Sequence, residues 1–371
     1  MAIATPLESE HVKTGAKLGV WFGCSLPSRF TDPAEEYRYG RESVALVDKN
    51  YRAYIEFTGP DRARYLNAVL TNNIQDLASG QGCISLLLNA QGHILAEVET
   101  YALADRILVA SYAMIRERLV TTLDKYIIMD DAVLEDVTDQ VAVLALEGPQ
   151  TNEVLRALRA PQTDRLTELG HFETAVAGIP CRLVRRSPGG VPGCEFIVER
   201  TRIFELWQVL SDAVRAQRGG PIGYEALNVL RLEAGIPWFG YDFDEKQIPH
   251  EAGLQDTHIS YTKGCYTGQE IVERVRSRGH VNRKRVGLRF DGANEVPAGT
   301  ELFADGSPAA ASGQEIGFVT RSGFSPAVGS VIGMGYVRGE NNALGSRLRC
   351  TGGLAQVIEI PVALQAGKAE D

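Results

Sequence analysis

The chain has 371 residues, which is too many for one hydrophobic core of ordinary size, so we expect two or three domains. Its composition, with 44% hydrophobic and 23% charged residues, is that of a soluble globular protein. The net charge of −9 argues against a general nucleic-acid-binding protein, and no apolar run reaches the roughly 18 residues that a membrane-spanning helix needs.

The N-terminal segment lacks the basic stretch and apolar core of a secretory signal, so we expect a cytoplasmic protein. The cysteines are scattered without a C-x-x-C pair, which fits free thiols rather than disulfides, a zinc site or an iron–sulfur site. The histidines are also dispersed, so the sequence predicts no metal site. Walker, Rossmann, G-x-S-x-G and H-E-x-x-H motifs are absent from the sequence.

The N-terminal part of the chain predicts little regular structure before about Tyr51. Residues 1–40 contain Pro6, Pro27 and Pro33, so we expect an irregular segment on the surface. Ala53–Phe57 then alternates apolar and mixed positions, as a half-buried strand does. Further on, the turn-rich connector Asn89–His93 lies between Ile84–Leu88 and Ile94–Val98, which predicts a hairpin.

Two glycine–proline pairs suggest an internal repeat. Gly59-Pro60 follows one predicted strand and begins a helix, and Gly148-Pro149 does the same after Val141–Leu146. The strand Ile107–Val109 has its counterpart in Phe196–Val198. The pattern indicates either two tandem α+β domains of similar build or a coincidence.

The last third of the chain has a different pattern. From Val286 onward, short apolar runs are separated by glycine and proline, which predicts a small antiparallel barrel or sandwich. The predicted fold class is therefore α+β, with mixed domains at 1–145 and 146–222 and a β-rich domain at 286–371. Residues 223–285 are expected to return toward the first domain.

The segment Lys263–Glu270, with the sequence KGCYTGQE, contains the best candidate for a reactive thiol. Lys263 lies two positions from Cys265 and would favour its thiolate. A buried cysteine in a tight glycine turn fits the same residues. The residues Gln269–Val275 predict a helix after this turn.

Residues 273–285 carry five arginines and one lysine in an otherwise acidic chain. Such a run predicts a site for phosphate, a carboxylate or a polyglutamate tail. If the segment is extended, Arg274, Arg276 and Arg278 share one face. A strand edge protected by solvated charge explains the run as well.

Two charged residues stand next to apolar segments and require partners. Glu195 follows a glycine-rich turn, 188–193, and enters an apolar strand, where the N–H edge of a pterin or guanine or an internal arginine would satisfy it. Arg231 borders the apolar face of a helix that ends at Gly235, and its partner could be structural or a ligand.

The motif Lys263–Glu270, with the arginines that follow it, resembles the signature of the YgfZ family of folate-binding proteins. Phe57–Asp61 (FTGPD), Leu88–Gly92 (LNAQG) and Arg231–Ile236 (RLEAGI) resemble the glycine cleavage T-protein superfamily, to which that family belongs. The resemblance implies three domains in a cloverleaf around a channel that holds tetrahydrofolate or a one-carbon derivative.

The resemblance also implies roles for individual residues. Glu195 matches the glutamate that hydrogen-bonds the pterin, and Arg231 lies in the matching arginine–glutamate helix. Cys265 matches a cysteine that YgfZ proteins carry and aminomethyltransferases lack. The other expected cofactor-binding residues belong to the motif: Lys263, Tyr266 and Arg274.

Three departures separate the chain from the aminomethyltransferases of the superfamily. Glu97 replaces their catalytic aspartate, Ala110 replaces an asparagine that faces the folate, and Tyr266–Gln269 replaces a Phe-Ile-Gly-Lys segment. The predicted function is therefore a tetrahydrofolate-binding accessory protein that assists iron–sulfur cluster maturation or repair in client enzymes. The alternatives are a folate-dependent aminomethyltransferase, methyltransferase or demethylase that uses Glu97, and a scaffold that has lost folate.

Overall fold

The computed structural model describes residues 2–279, 281–305, 315–351 and 353–362. Two compact units divide the chain, one of residues 1–227 with 255–269 and one of residues 228–254 with 270–371. The segment 223–285, which we expected to return to the first domain, is thus shared between the units. Residues 363–371 of the predicted β-rich domain lie outside the described residues, and the predicted domain bounds stay a prediction.

The N-terminal segment is regular, so the expectation of an irregular start is wrong. Its three short strands form a sheet in the order β1-β3-β2. Pro33 does not make this segment irregular, because it begins a helix. The side chain of Asp32 accepts hydrogen bonds from the first amides of that helix. The elements are β1 (Ile3–Ala4), α1 (Glu8–Lys13), β2 (Lys17–Trp21), β3 (Cys24–Arg29) and α2 (Pro33–Glu42).

A five-stranded antiparallel sheet, in the order β6-β7-β8-β5-β9, follows in the first unit. The strand predicted at Ala53–Phe57, the helix after Gly59-Pro60 and the hairpin around residues 89–93 are confirmed. After β4 (Ala45–Asp48), the elements of this part are β5 (Arg52–Thr58), α3 (Arg62–Val69), β6 (Gly82–Leu88), β7 (Ile94–Ala102), β8 (Ile107–Tyr112), α4 (Arg116–Tyr126) and β9 (Val133–Asp136).

The second sheet of this unit has the order β11-β12-β13-β10-β4-β14, and the predicted boundary near residue 145 falls inside β10. Its order β11-β12-β13-β10 repeats β6-β7-β8-β5 of the first sheet, so the suspected duplication is present in the topology. Its further elements are β10 (Val141–Glu147), α5 (Thr151–Ala157), β11 (His171–Val176), β12 (Ile179–Arg185), β13 (Gly193–Glu199), α6 (Ile203–Ala216) and β14 (Gly220–Pro221).

Both copies of the repeat need glycine at the turn from strand to helix. Gly59 has a φ of 90° and Gly148 a φ of 139°, conformations that other residues rarely adopt. A Cβ atom at either position would also collide with a backbone carbonyl, that of Asp131 or that of Ser43. The repeated Gly-Pro pairs therefore mark the same turn in both copies.

The inner faces of the two sheets share one apolar cluster. Side chains on alternate positions of the strands meet there, as expected for sheets that pack face to face. The buried members of the cluster are Tyr54, Tyr101, Leu108, Ala110, Val137, Val143, Leu169, Val184 and Ile197.

The second unit contains a closed six-stranded antiparallel barrel in the order β15-β18-β17-β16-β19-β20. The predicted fold class, α+β with a C-terminal antiparallel β-rich domain, is thereby confirmed. In the described residues, no helix is long and apolar enough to cross a bilayer. The remaining elements are α7 (Tyr224–Glu233), α8 (Pro249–Ala252), α9 (Gln269–Arg278), β15 (Arg283–Phe290), β16 (Glu301–Ala304), β17 (Gly317–Ser325), β18 (Ser330–Arg338), β19 (Arg347–Cys350) and β20 (Gly353–Ile358).

Candidate functional site

On the inner faces of the two sheets, several charged side chains lie next to the apolar cluster. Glu97 and Glu99 lie on β7 on the same face as Tyr101, because alternate residues of a strand point to one side. Glu147 on β10 and Glu195 on β13 likewise lie on the inner face of their sheet, with Val143 and Ile197 of the apolar cluster. The sheets therefore bring several buried carboxylates to one region of the first unit.

Glu195 is buried on β13, as the sequence predicted. It is 2% exposed, and it pairs with Ala145 of β10 and Val184 of β12. Its Oε2 atom is buried, and among the described residues it has no hydrogen-bond partner. An unsatisfied buried carboxylate oxygen is costly and rare in folded proteins. The observation favours a ligand as the partner of Glu195.

An internal arginine was the other partner considered for Glu195, and the two buried arginines nearby bind a different carboxylate. Arg52 forms an ion pair with Glu99, whose other oxygen lies 2.8 Å from Nη2 of Arg186. Arg186 also reaches Glu168, at 2.9 Å. The ion pairs of these guanidinium groups are thus made with Glu99 and Glu168, and Nε of Arg52 is buried without a hydrogen-bond partner among the described residues.

Lys49 and Glu147 form a buried pair next to Glu195 that the sequence analysis missed. Nζ of Lys49 lies 3.6 Å from Oε1 of Glu147, and both side chains are at most 1% exposed. Burial raises the pKa of Glu147 to about 7, although the positive charge of Lys49 opposes the rise. The protonation of Glu147 therefore depends on the charge of Lys49.

Glu97 lies in a hydrogen-bonded chain, and both of its carboxylate oxygens have partners. Tyr112 donates from its hydroxyl to Oε2 at 2.6 Å, and Nε2 of His258 lies 3.0 Å from Oε1. Thr257 lies 2.7 Å from the other ring nitrogen of His258. Burial raises the pKa of Glu97, but the hydrogen bonds of His258 and Tyr112 outweigh it, so the pKa is lowered. The structure thus holds Glu97 as an anion.

Lys263, a predicted cofactor-binding residue, contacts the end of helix α3. Its ammonium group donates to the carbonyl oxygens of Asn67, Leu70 and Asn72, the last two at 2.5 and 3.0 Å. Carbonyls at a helix end lack intrahelical donors, and a lysine is a suitable partner. These contacts favour a structural role for Lys263 rather than a contact with the cofactor.

Cys265 and Tyr266 of the motif differ in exposure. Cys265 is exposed, so the alternative of a buried cysteine in a tight turn is wrong. Tyr266 is 7% exposed, and its ring lies 5.2 Å from Nζ of Lys263. Burial raises the pKa of the other five cysteines, by different amounts. Cys265 therefore remains the best candidate for a reactive thiol.

Arg231 belongs to the second unit, where it is fully buried among protein groups. It forms an ion pair with Asp242, and its Nε and Nη2 atoms donate to Asn228 at 3.0 and 2.7 Å. The ring of Trp238 lies 4.6 Å from the guanidinium carbon. These contacts support the structural alternative that the sequence left open.

The helix predicted at Gln269–Val275 is confirmed and extends to Arg278, whereas Arg283 and Arg285 of the arginine run lie in β15. The shared face that an extended segment would give Arg274, Arg276 and Arg278 therefore does not form. In α9, residues four apart share a face, which leaves Arg276 on another side. Arg276 lies 3.5 Å from Glu273, and both Arg274 and Arg276 are exposed. The cofactor-binding role of Arg274 stays a prediction.

Lys49, Glu147 and His258 were missed because no motif contains them. For Glu147 a signal exists, since Val141–Glu147 is an apolar strand that ends in a carboxylate, the same pattern that identified Glu195. Lys49 and His258 gain their roles only when distant strands and loops pack together.

The comparisons with known proteins agree with the fold. Residues 7–261 match the GCVT N-terminal domain, and residues 283–359 match the glycine cleavage T-protein C-terminal barrel domain. An aminomethyltransferase of Rubrobacter xylanophilus is 30% identical over 333 residues, which cover 90% of this chain and 86% of that protein. One of Streptomyces avermitilis is 29% identical over 343 residues, which cover 92% and 91%.

A solved structure extends the similarity to three dimensions. The glycine cleavage system aminomethyltransferase T from Bartonella henselae superposes with a TM-score of 0.87 at 25% identity, over 97% of this chain and 98% of that one. The predicted cofactor, tetrahydrofolate, is the one that aminomethyltransferases of this family use. These relatives are named aminomethyltransferases, so the predicted YgfZ subfamily is not confirmed. The chain belongs to the glycine cleavage T-protein family.

Proposed function

We propose that this chain binds tetrahydrofolate through Glu195 and acts as a folate-dependent aminomethyltransferase or a closely related one-carbon transferase. The observation that carries the proposal is the buried Oε2 atom of Glu195, for which no described residue is a partner. The paired N–H groups of a pterin ring suit a carboxylate in this position. The names of the relatives support the transferase reading.

Glu97 is the residue we assign to the reaction. Tetrahydrofolate supplies nitrogen atoms that carry one-carbon units. A carboxylate held as an anion stabilises positive charge that develops on a nitrogen while such a unit is transferred. Tyr112 and His258 fix the position of this carboxylate and keep it ionised. The side chain is one methylene longer than the aspartate it replaces, a difference of about 1 Å that matters for a positioned group.

The second candidate is the accessory function in iron–sulfur cluster maturation or repair that the motif implies. Its support is the exposed thiol of Cys265 within KGCYTGQE. In this reading the thiol is required and Glu97 is not. The two candidates therefore make opposite predictions for the same pair of variants.

Turnover of tetrahydrofolate with aminomethyl and methyl donors separates the candidates. For a transferase, Glu97→Gln should lower kcat by about 100-fold or more, the usual size for a group that acts on a proton or charge in the reaction. Cys265→Ser should leave turnover unchanged. The transferase proposal is contradicted if the wild type shows no turnover while Cys265→Ser abolishes the activity of iron–sulfur enzymes in a complementation test.

A further inference from the structure

Five atoms of lysine, arginine and glutamate side chains in the first unit are buried without a hydrogen-bond partner among the described residues, and two of them are the Nε atoms of Arg52 and Arg62. The other three are Nζ of Lys49, Oε1 of Glu147 and Oε2 of Glu195. The proposed function uses only the last. One such atom is uncommon in a folded protein, and three in one place call for a common explanation.

The strand register places these side chains on one face of the second sheet. Glu147 stands opposite Gly193, and Ala145, two residues earlier on β10, stands opposite Glu195. Glu147 and Glu195 are therefore diagonal neighbours, with Cα atoms about 7–8 Å apart. Lys49 follows β4, which pairs with the other side of β10.

Glycines enclose Glu147 on the side of the glycine-rich turn. A Cβ atom at Gly189 or Gly193 would lie 3.1 or 3.3 Å from Oε2 of Glu147. The amide of Gly189 donates to that oxygen at 3.4 Å, a long bond. The backbone thus packs closely around Oε2 of Glu147, and Oε1 lies on the side of Lys49.

The Lys49–Glu147 pair is too long to satisfy either group. At 3.6 Å the two charges attract, but the distance exceeds that of a hydrogen bond. Burial lowers the pKa of Lys49, while the negative charges of Glu147 and Glu195 support its protonated form. The ammonium therefore keeps donors for a further acceptor.

We propose that Lys49 is a specificity-determining residue, which donates a hydrogen bond to the ring oxygen beside the N–H edge that Glu195 binds. This inference rests on the proposed function. In a pterin, the 2-amino group, the N3–H group and the 4-oxo oxygen follow one another along one edge. A carboxylate next to an ammonium matches that order of donors and acceptor, and Glu147 supplies the counter-charge that orients Lys49.

Tetrahydrofolate and its 4-amino-4-deoxy analogue test the proposal. They differ at this oxygen and also at N3, which carries a hydrogen in tetrahydrofolate and a lone pair in the analogue, so part of any preference comes from Glu195. The wild type should bind tetrahydrofolate at least about 10- to 100-fold more tightly in calorimetry, the usual effect of a hydrogen bond to a charged group. In Lys49→Met the preference should fall by about tenfold or more, and the part that remains should come from the N3–H group. Lys125→Met, on the exposed side of α4, should retain the full preference. If Lys49→Met does not fold, Lys49→Met/Glu147→Met removes both buried charges and should give the same result.

The outcomes separate this inference from the proposed function. Binding that requires Glu195, with the same preference in wild type and in the Lys49 variant, overturns the inference alone. Equal binding of both ligands by the wild type also overturns it. If the wild type binds neither ligand, the inference and the proposed function are both wrong.

Discussion

Glu195 combines full burial with a free hydrogen-bonding position, which is expensive unless a ligand compensates. In the protein without ligand, no hydrogen bond to Oε2 offsets the loss of water from this carboxyl group. Residues kept for binding commonly lower the stability of the unbound protein. A substitution of Glu195 should therefore raise the stability of the ligand-free protein and lower its affinity for the ligand.

The variant Glu195→Gln should raise the free energy of unfolding of the ligand-free protein by about 1 kcal/mol, because it removes a buried charge whose Oε2 atom has no hydrogen-bond partner among the described residues. The matched control is Glu199→Gln at the exposed end of the same strand, which should change stability by no more than about 0.5 kcal/mol. Urea unfolding measures both. A clear destabilisation by Glu195→Gln would show that the carboxylate has a structural partner.

Glu97 should make stability depend on acidic pH. Its pKa in the folded protein lies below the ordinary value of 4.5, so its stabilising contribution is present above pH 4.5 and is lost as the pH falls through the lowered pKa. Glu97→Gln should cost about 1–3 kcal/mol at pH 7, through the weakened bonds to His258 and Tyr112. The difference from wild type should shrink in unfolding experiments below pH 4.5. A difference that is constant from pH 7 to pH 3 would contradict the ionised state of Glu97.

Cys265 should react with a mild alkylating agent before the other cysteines. It is exposed, whereas Cys24, Cys181 and Cys194 are buried and burial raises their pKa. Mass spectrometry of the partly modified protein identifies the site. First modification at Cys83 or Cys350, which are partly exposed, would contradict the prediction.

The sequence was sufficient to single out Glu195 and Glu97 as candidates but not the residues around them. A glutamate on an apolar strand is visible in one segment of sequence, and the family pattern pointed to Glu97. The pairing of Lys49 with Glu147 depends on the register between β4 and β10, which the sequence of neither strand reveals. Arg231 and Lys263 were expected near the cofactor. Their partners within the protein cannot be recognised from the local sequence, so the sequence did not reveal their structural contacts.

At the scale of elements, the connection between the motif and helix α3 gives Lys263 its role. Three carbonyl oxygens at the end of α3 accept from one ammonium group. Through these hydrogen bonds, Lys263 connects the segment 255–269 to the end of helix α3. We expect this lysine to contribute to stability whether or not the protein binds folate.

The variant Lys263→Met should lower the free energy of unfolding by about 2–3 kcal/mol, because it leaves several carbonyls without their charged donor. Lys125→Met on the exposed side of α4 should have an effect within about 0.5 kcal/mol. Denaturant unfolding of the two variants makes the comparison. Equal stabilities would assign the lysine to another role, such as the predicted contact with the cofactor.

Elements with a clear period were predicted well, and short or charged ones were not. The strand Arg52–Thr58 and the hairpin of β6 and β7 have long alternating or apolar runs. β1 and β2 are too short for a period to appear, although Asp32-Pro33 is a helix-start signal that we did not use. The helix predicted at Gln269–Val275 is present as α9, and it extends to Arg278 through the alternating arginines for which an extended segment was also considered.

At the scale of the molecule, the duplication explains why a buried charged site exists between two sheets. Each copy of the repeat provides one sheet with an apolar inner face, and the charged residues lie on the continuations of those faces. The Gly-Pro pairs made the duplication detectable in the sequence. The charged site was not detectable, because it requires both copies to be packed together.

The central claim is that Glu195 binds the pterin ring of tetrahydrofolate, and calorimetric titration of wild type and Glu195→Gln tests it most directly. The wild type should bind tetrahydrofolate at one site, and Glu195→Gln should raise Kd by about 10- to 100-fold, with Glu199→Gln as the unchanged control. The same Kd for wild type and Glu195→Gln, or no binding by the wild type, would contradict the account.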